Sequence, residues 1–491
     1  MDVTETALTN IKNIVTDMRT LCVNGATGTL TESDRNTILS QLKALQEQVY
    51  NEGNADYAGR TVFTGYRTDK TLTFTEKDQN TSYNISEPIS ADSIFEKRFY
   101  NKEITVPSDE GQIITGSDPA HPIYDPQTGV LKVDSMERTE YNVIRLAYDD
   151  INDVYGLNIK VWNETTNQYD TTAYTVPYGH VETNPPIEDI LIFNTEEDWA
   201  AHLYNGNPEG KVVGDNKAVF IRETGEMVLG KNVASYLQTK NATINVDYTK
   251  TGFKNGELRP EYYFDCTQLT DETGAGVGGY DPASMTPAGV YNGTYSGNGI
   301  EFDKMDDQGK LVTYDINYTV AANQELTVNM EAGECIDHNI YQDMGDMIDA
   351  VEKSIEAHKK MDQLTAMKNM DKYAGDTYQG ALTKWIELAQ KEADYYDDNL
   401  SKLYSSELGN VDSYLEDINL SITKIGCRGD QLAMTKTRMN NQQQTVEELQ
   451  SKNDDIDLSD IIIRYTAAYT AYQSSLTAAG KLGQQTLLNY I

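Results

Sequence analysis

The residues able to do chemistry are few and badly spaced for it. Cysteines stand at Cys22, Cys266, Cys335 and Cys427, and no two have the C-x-x-C spacing of a zinc site or a redox pair. Buried free thiols are the expectation. The histidines, His121, His180, His202, His338 and His358, form no HExxH and no other pair spacing, so a zinc hydrolase would lack ligands. Asp306-Asp307-Gln308-Gly309 lacks the alternating oxygen ligands of a calcium loop and reads as an acidic turn. Arg428-Gly429-Asp430 falls inside a predicted helix, where it cannot present as an extended loop. Triplets such as Asn163-Glu164-Thr165 and Asn241-Ala242-Thr243 are what an Asn- and Thr-rich chain contains by chance. Tyr395-Tyr396 and the tyrosines from Tyr465 to Tyr472 sit in predicted helices and read as packing residues. Trp162 and Trp199 are candidate platforms for a glycan or host surface. With no nucleophile–base set, metal cluster or phosphate loop, the sequence predicts no enzyme, no cofactor and no metal.

Charge narrows the partners. The 491 residues carry 40 Lys+Arg against 77 Asp+Glu, a net charge of −37. Such a field repels phosphate backbones and anionic membranes, so neither nucleic acid nor membrane is an expected partner. A mean hydropathy of −0.57 suits elongated domains with thin cores. At ~150 residues per domain the chain has room for about three. No run approaches the ~18 apolar residues of a membrane span. Met1-Asp2-Val3-Thr4-Glu5 offers neither a basic nor an apolar leader segment. The expectation is a cytoplasmic protein, or one exported by a route that removes nothing.

The elements follow from periodicity. All 12 prolines lie between Pro88 and Pro287, which frees both chain ends for long helices. Leu8, Ile11, Val15, Met18 and Cys22 form one helical face; Asn24-Gly25 and Gly28 break it. Thr31 and Asp34 make a capping box, and Ile38, Leu42, Leu45 and Val49 step like a coiled-coil seam. Near the other end Val411, Leu415, Ile418, Ile422, Ile425, Leu432, Met439 and Val446 form a second seam, interrupted at Gly429, Lys436 and Gln443. Asp454, Asp455 and Asp457 break it. Ile462, Tyr465, Tyr469, Tyr472, Leu476 and Ala479 then resume steps of three and four. Such seams need covering, either within one chain or between subunits.

The middle reads as β. Leu157, Ile159 and Val161 alternate with polar residues. Ala218–Ile221 and Met227–Leu229 flank a turn at Thr224-Gly225. The strictest alternation, Val312, Tyr314, Ile316, Tyr318 and Val320, predicts a strand that turns at Asn323-Gln324 and returns through Leu326, Val328 and Met330. The predicted fold class is α+β: a coiled-coil rod built from both chain ends, which pack together, with an inserted β-rich region projecting from it. The expected divisions are a helical hairpin (1–75), the β-rich insert of one or more domains (76–307), a β-hairpin of the rod (308–340), the rod helices (341–453) and a terminal inner-tube helix (454–491).

Three segments resemble a known family. The run Asn54-Ala55-Asp56-Tyr57-Ala58-Gly59-Arg60-Thr61-Val62-Phe63-Thr64-Gly65-Tyr66-Arg67-Thr68-Asp69 is similar to the "N…GRYxFxGxKT" segment of the hook–filament junction proteins (hook-associated protein 3) of the bacterial flagellin superfamily. Thr29-Leu30-Thr31-Glu32-Ser33-Asp34-Arg35 after Asn24-Gly25 resembles the family's "NGTLSxxDR". Thr470-Ala471-Tyr472-Gln473-Ser474-Ser475-Leu476 and Gly483-Gln484-Gln485-Thr486-Leu487-Leu488-Asn489-Tyr490-Ile491 resemble its terminal "TAYQAxL" and "SLLDYL". The resemblance covers residues 4–75 and 308–491.

It implies an extracellular structural subunit of the flagellum, exported without a cleaved signal, joining hook to filament through its terminal helices. The implied partners are copies of itself, other hook-associated and flagellin subunits, and an export chaperone. Ile462, Tyr465, Tyr469, Tyr472, Leu476, Leu487 and Leu488 are the implied subunit interface, and Asn54, Gly59, Arg60, Phe63 and Gly65 the rod motif. It also implies that the family's N-terminal ~70 residues are missing ahead of Asp2, leaving the last seam without its natural partner. Filament flagellin, or a glycan- or host-binding module on a flagellin-like rod, are the alternatives.

Overall fold

The computed structural model describes residues 2–27, 30–101, 104–115, 124–125, 130–131, 137–175, 178–179, 187–196, 198–199, 213–280, 282, 299–306, 310–321, 324–454 and 457–484. It is an α+β protein. The helices are α1 (Asp2–Gly25), α2 (Glu32–Gly53), α3 (Glu110–Thr115), α4 (Lys231–Lys240), α5 (Ala332–Cys335), α6 (Asn339–Lys368), α7 (Asp376–Asp454) and α8 (Leu458–Gln484). The strands are β1 (Asp56–Tyr57), β2 (Arg60–Thr61), β3 (Ser82–Ser90), β4 (Phe95–Asn101), β5 (Tyr124–Asp125), β6 (Val130–Leu131), β7 (Glu137–Arg145), β8 (Asp153–Asn163) and β9 (Gln168–Thr175), then β10 (Tyr178–Gly179), β11 (Asp189–Phe193), β12 (Lys217–Ile221), β13 (Glu226–Leu229), β14 (Thr243–Thr251), β15 (Asp265–Thr270), β16 (Ile300–Phe302), β17 (Asn317–Ala321) and β18 (Gln324–Thr327). The chain divides into two compact units: Met1–Asn317 with Thr327–Gly426, and Tyr318–Leu326 with Cys427–Ile491.

In the first unit the helical hairpin forms as its sequence dictates. Thr31 caps α2: its Oγ1 accepts from the Asp34 amide at 3.3 Å while the Asp34 carboxylate accepts from the Thr31 amide at 2.9 Å. That pairing satisfies two orphan donors and is worth about 1 kcal/mol. Leu8, Ile11, Val15, Met18 and Cys22 of α1 and Ile38, Leu42, Leu45 and Val49 of α2 are all buried. They meet Met344, Met347, Val351 and Ile355 of α6 and Leu400, Tyr404, Val411, Ile418 and Ile425 of α7. Polar contacts set the register of these helices: Arg35 to Asp397 at 2.7 Å, Ser401 Oγ to the Ala26 carbonyl at 2.9 Å, and Tyr414 to Asp343 at 2.6 Å.

The β region supplies two six-stranded sheets. One is wholly antiparallel, in the order β16-β15-β3-β14-β8-β9; the other runs β10-β11-β12-β13-β7-β4, with β11 and β12 parallel. Period-2 alternation places Ile244, Val246, Tyr248 and Lys250 of β14 inside. The sheets share the helices' core: Ile85, Ile144, Ile159, Leu229 and Ile244 belong to the same apolar cluster as Leu8 and Val351. A smaller cluster joins Ile104 and Ile113 to Leu364, Leu382 and Trp385, whose indole N–H donates to the Ile113 carbonyl at 3.1 Å.

Three expectations are corrected. The strand through Val312–Val320 is far shorter: only Asn317–Ala321 pairs with Gln324–Thr327. The Asn329 side chain accepts from the Ile316 amide at 2.7 Å and donates to the Tyr314 carbonyl at 2.9 Å, replacing main-chain ladder bonds there. Val312 instead donates to the Lys304 carbonyl at 2.7 Å. Cys427 is exposed, unlike the three buried thiols. Trp199 is buried with its ring 5.1 Å from Tyr141, so it is no platform.

Gly25 at the end of α1 lies against the Tyr404 ring, where a Cβ would come within 2.6 Å of Cδ2. Gly25→Ala is expected to cost about 1–3 kcal/mol by overpacking. Urea unfolding of the variant checks this through a lowered midpoint at unchanged slope.

Candidate assembly surface

Two constellations were singled out by sequence, and the structure treats them differently. The first, around residues 54–65, is locked into the first unit. Asn54 follows α2, and its side chain exchanges bonds with Thr73, donating to Oγ1 at 2.6 Å and accepting from the amide at 3.1 Å. Ala58 and Gly59 both have positive φ (53° and 77°), the backbone of the tight turn between β1 and β2. The Asp56 carboxylate accepts from the Gly59 amide at 3.0 Å and fixes that turn. Phe63 is fully buried, and its carbonyl accepts from the Ala332 amide at 2.8 Å. Gly65 (φ 59°) is pressed against Glu331, leaving no room for a Cβ. Gly59 and Arg60, at the turn, are exposed. The motif thus fastens the helical hairpin to the start of α5, beside the buried Lys304–Glu331 ion pair (2.6 Å).

The second constellation lies on α8. Ile462, Tyr465, Tyr469, Tyr472 and Leu476 are all more than half exposed, and every described residue of the helix is exposed. Leu487 and Leu488 lie outside the described residues. The steps of three, four, three and four put the five side chains on one stripe. Tyr465 and Tyr469 stack with centroids 6.0 Å apart, and Gln473 donates to the Tyr469 hydroxyl at 2.9 Å. The hydroxyls of Thr466, Thr470, Ser475 and Thr477 donate back to carbonyls one turn earlier. The helix therefore satisfies its own polar side chains, while the stripe stays uncovered. Its charges are Asp460, Arg464 and Lys481, and the first two pair with each other at 2.7 Å.

Periodicity located this stripe but not its full extent. Leu458, Ile461, Ile463 and Leu482 of α8 are exposed as well, as are Leu432, Met434, Met439, Val446 and Leu449 of α7. Met434 and Leu449 lie off the heptad positions, so seam counting passes over them. So many exposed apolar side chains on a chain of net charge −37 make these helices a candidate contact surface.

One serine, histidine and aspartate come together on α6 and α7. Ser354 Oγ donates to Asp397 Oδ1 at 2.6 Å, and His358 Nε2 lies 2.9 Å from Asp397 Oδ2. Hydroxyl and imidazole both bind the carboxylate and not each other, which is not the serine–histidine–aspartate relay of a nucleophile. Among the described residues no group of three or more His, Cys, Asp or Glu is placed to hold a metal ion, and no helix is long and apolar enough to cross a membrane. His202 lies outside the described residues. Of the acidic turn at Asp306 the flanks are described: the Lys310 amide donates to the Asp306 carboxylate at 2.9 Å. Trp162 is exposed, edge-on to Tyr169 at 4.9 Å.

Residues 1–68 match the bacterial flagellin N-terminal helical region. No curated protein matches the chain. Among solved structures, FlgL of Xanthomonas campestris is 8% identical with a TM-score of 0.21, covering 90% of this chain and 93% of its own. The flagellar junction protein FlgL of Legionella pneumophila is 10% identical with a TM-score of 0.25, covering 90% and 89%. The Legionella pneumophila flagellar hook-associated protein-3 is 10% identical with a TM-score of 0.20, covering 90% and 91%. At those scores the likeness fixes neither the packing nor the role of this chain.

Because the stripe is more than half exposed, replacing Ile462, Tyr469 and Leu476 with Glu should change unfolding stability by no more than about 0.5 kcal/mol per site. The same variant should bind less of a hydrophobic dye such as ANS. Fluorescence titration beside urea unfolding checks both.

Proposed function

We propose that this chain is a structural subunit of the bacterial flagellum that joins hook to filament by packing of its terminal helices. The observation that carries the reading is the uncovered heptad stripe on α8, in a chain whose first 68 residues match the flagellin N-terminal helical region. A tubular assembly needs each subunit to present complementary surfaces on opposite faces, and uncovered apolar seams provide them. Ile462, Tyr465, Tyr469, Tyr472, Leu476, Leu487 and Leu488 form the subunit interface in this proposal. Asn54, Gly59, Arg60, Phe63 and Gly65 form the motif that holds the helical hairpin in its rod. The division into hairpin, β-rich insert, rod hairpin, rod helices and inner-tube helix is part of the same proposal.

The partners are further copies of the chain, other hook-associated subunits and flagellin, with an export chaperone covering the stripe before assembly. The protein acts outside the cell, catalyses nothing and takes no cofactor. Mechanically, the rigid buried seam of α1, α2, α6 and the first part of α7 transmits load, and the exposed stripe makes the joint. Filament flagellin is the competing reading, since it would use the same stripe. The exposed Trp162–Tyr169 pair keeps a surface-binding role for the β-rich region as a further reading, although the burial of Trp199 removes one of its two platforms.

Immunogold labelling of intact cells with antibody against residues 76–307 tests position. A single cluster between hook and filament is expected; label along the filament would make the chain a flagellin. Tyr472→Asp and Leu476→Asp should abolish incorporation while leaving the far-UV spectrum of the purified chain unchanged. Normal incorporation of either variant would remove the stripe from the interface.

A further inference from the structure

Where the second sheet meets the helices, the first unit buries more carboxylates than it has cations to pair with. Arg145, the last residue of β7, reaches across to α6. Its guanidinium binds Asp343 at 2.5 Å and also Asp346. Asp343 is almost wholly buried and accepts a second bond, at 2.6 Å, from the Tyr414 hydroxyl of α7. Glu407, one helical face along α7 from Tyr414, is buried beside Asp343. Its own donor is the Asn410 amide at 3.0 Å, and among the described residues no lysine or arginine forms an ion pair with it. One shared arginine therefore stands against three carboxylates, two of them buried. A buried carboxyl without a counter-ion, set beside an ion-paired carboxylate, is too costly to ionise and keeps its proton.

We propose that Glu407, buried against Asp343, keeps its proton in the folded chain, and that this proton is a pH-sensitive clasp fastening β7, and with it the second sheet, to α6 and α7. The groups facing the pair bear this out from each side. From α1 come Cys22, whose thiol burial and the two acids push up to about 12, and Arg19, already committed to Asp412 at 2.6 Å. From β7 comes Arg145, from α6 Asp343 itself, and from α7 Tyr414, whose hydroxyl is held neutral by burial and by Asp343. None supplies a second cation. Burial and the Asp343 charge raise the Glu407 carboxyl from its ordinary range to about 8.

The direction follows from linkage. The folded clasp binds a proton that the unfolded chain has released above its ordinary carboxyl range. The stability this proton contributes is thus complete at acid pH and is lost as pH rises towards about 8. The opening equilibrium of β7 should rise about tenfold per pH unit between pH 5 and 8, then level off.

Hydrogen exchange of the full chain, corrected for the intrinsic pH dependence of exchange, reads this at the β7 amides of Val143 and Ile144. Amides of α2 such as Leu42 serve as an internal reference. In Glu407→Gln the β7 profile should be flat from pH 5 to 9, with α2 unaltered. A slope in that variant equal to the wild type would overturn the clasp. Should Glu407→Gln not fold, Asp343→Asn keeps Glu407 and removes its like-charged neighbour, so the wild-type levelling point must move down by at least one pH unit. A levelling point that stays put would overturn the clasp equally.

Discussion

A helical seam stepping by three and four cannot remain in water at no cost, and this constraint organises the protein. The chain contains the rhythm repeatedly and treats it in two ways. In α1, α2, α6 and the first part of α7 the seam is buried, with Leu8, Val15, Leu42, Val351, Tyr404 and Ile418 almost inaccessible to solvent. In α8 the same rhythm, with Tyr465, Tyr469 and Tyr472 along it, is left open. Burying a large aliphatic or aromatic side chain contributes about 1.5–3 kcal/mol. Five such residues in a row represent a large free energy not realised in the chain itself, and the function proposed above is the way it is realised.

The sheets matter to that picture because they share the core that holds the rod. Ile144 and Leu229 lie in the same cluster as Leu8 and Met344. Arg145 to Asp343 links sheet to helix, and within the sheet Lys97 of β4 reaches across β7 to Glu226 of β13 (2.7 Å). Glu87, buried in β3, accepts from the Ala147 amide at 2.9 Å and the Tyr248 hydroxyl at 2.7 Å, and burial raises its carboxyl above the ordinary range. Such satisfied buried polar groups fix one arrangement of strands over others.

How much of this was legible depends on the range of the interaction. The capping box at Thr31 and Asp34, the seam of α1 and the β12–β13 hairpin follow from neighbours three or four residues apart, or two, and those rules see them. The stop at Asp454 follows from clustered aspartates. The short β17–β18 hairpin defeated alternation because the Asn329 side chain takes the Ile316 amide and the Tyr314 carbonyl, leaving the Val328 amide to the Ile316 carbonyl (3.0 Å), and a period-2 count does not register a side chain's bonds to the backbone. Trp199 was read as a surface platform because sequence gives no account of what covers an aromatic. The cluster of Arg145, Asp343, Tyr414 and Glu407 spans more than 260 positions and has no local signature. For the α8 stripe, the residues were readable from spacing, while their exposure was not: periodicity says that a face needs a partner, and only the fold says whether the chain provides one.

The central claim is that this stripe is a joint between subunits. Its most direct test places a photo-crosslinking amino acid at Tyr469 in cells building flagella, with Thr171, exposed on β9, as the control position. The account predicts crosslinks from Tyr469 to another flagellar subunit or a second copy of the chain, in assembled material and not from Thr171. Equal crosslinking at both positions, or none from Tyr469 in assembled flagella, would contradict it.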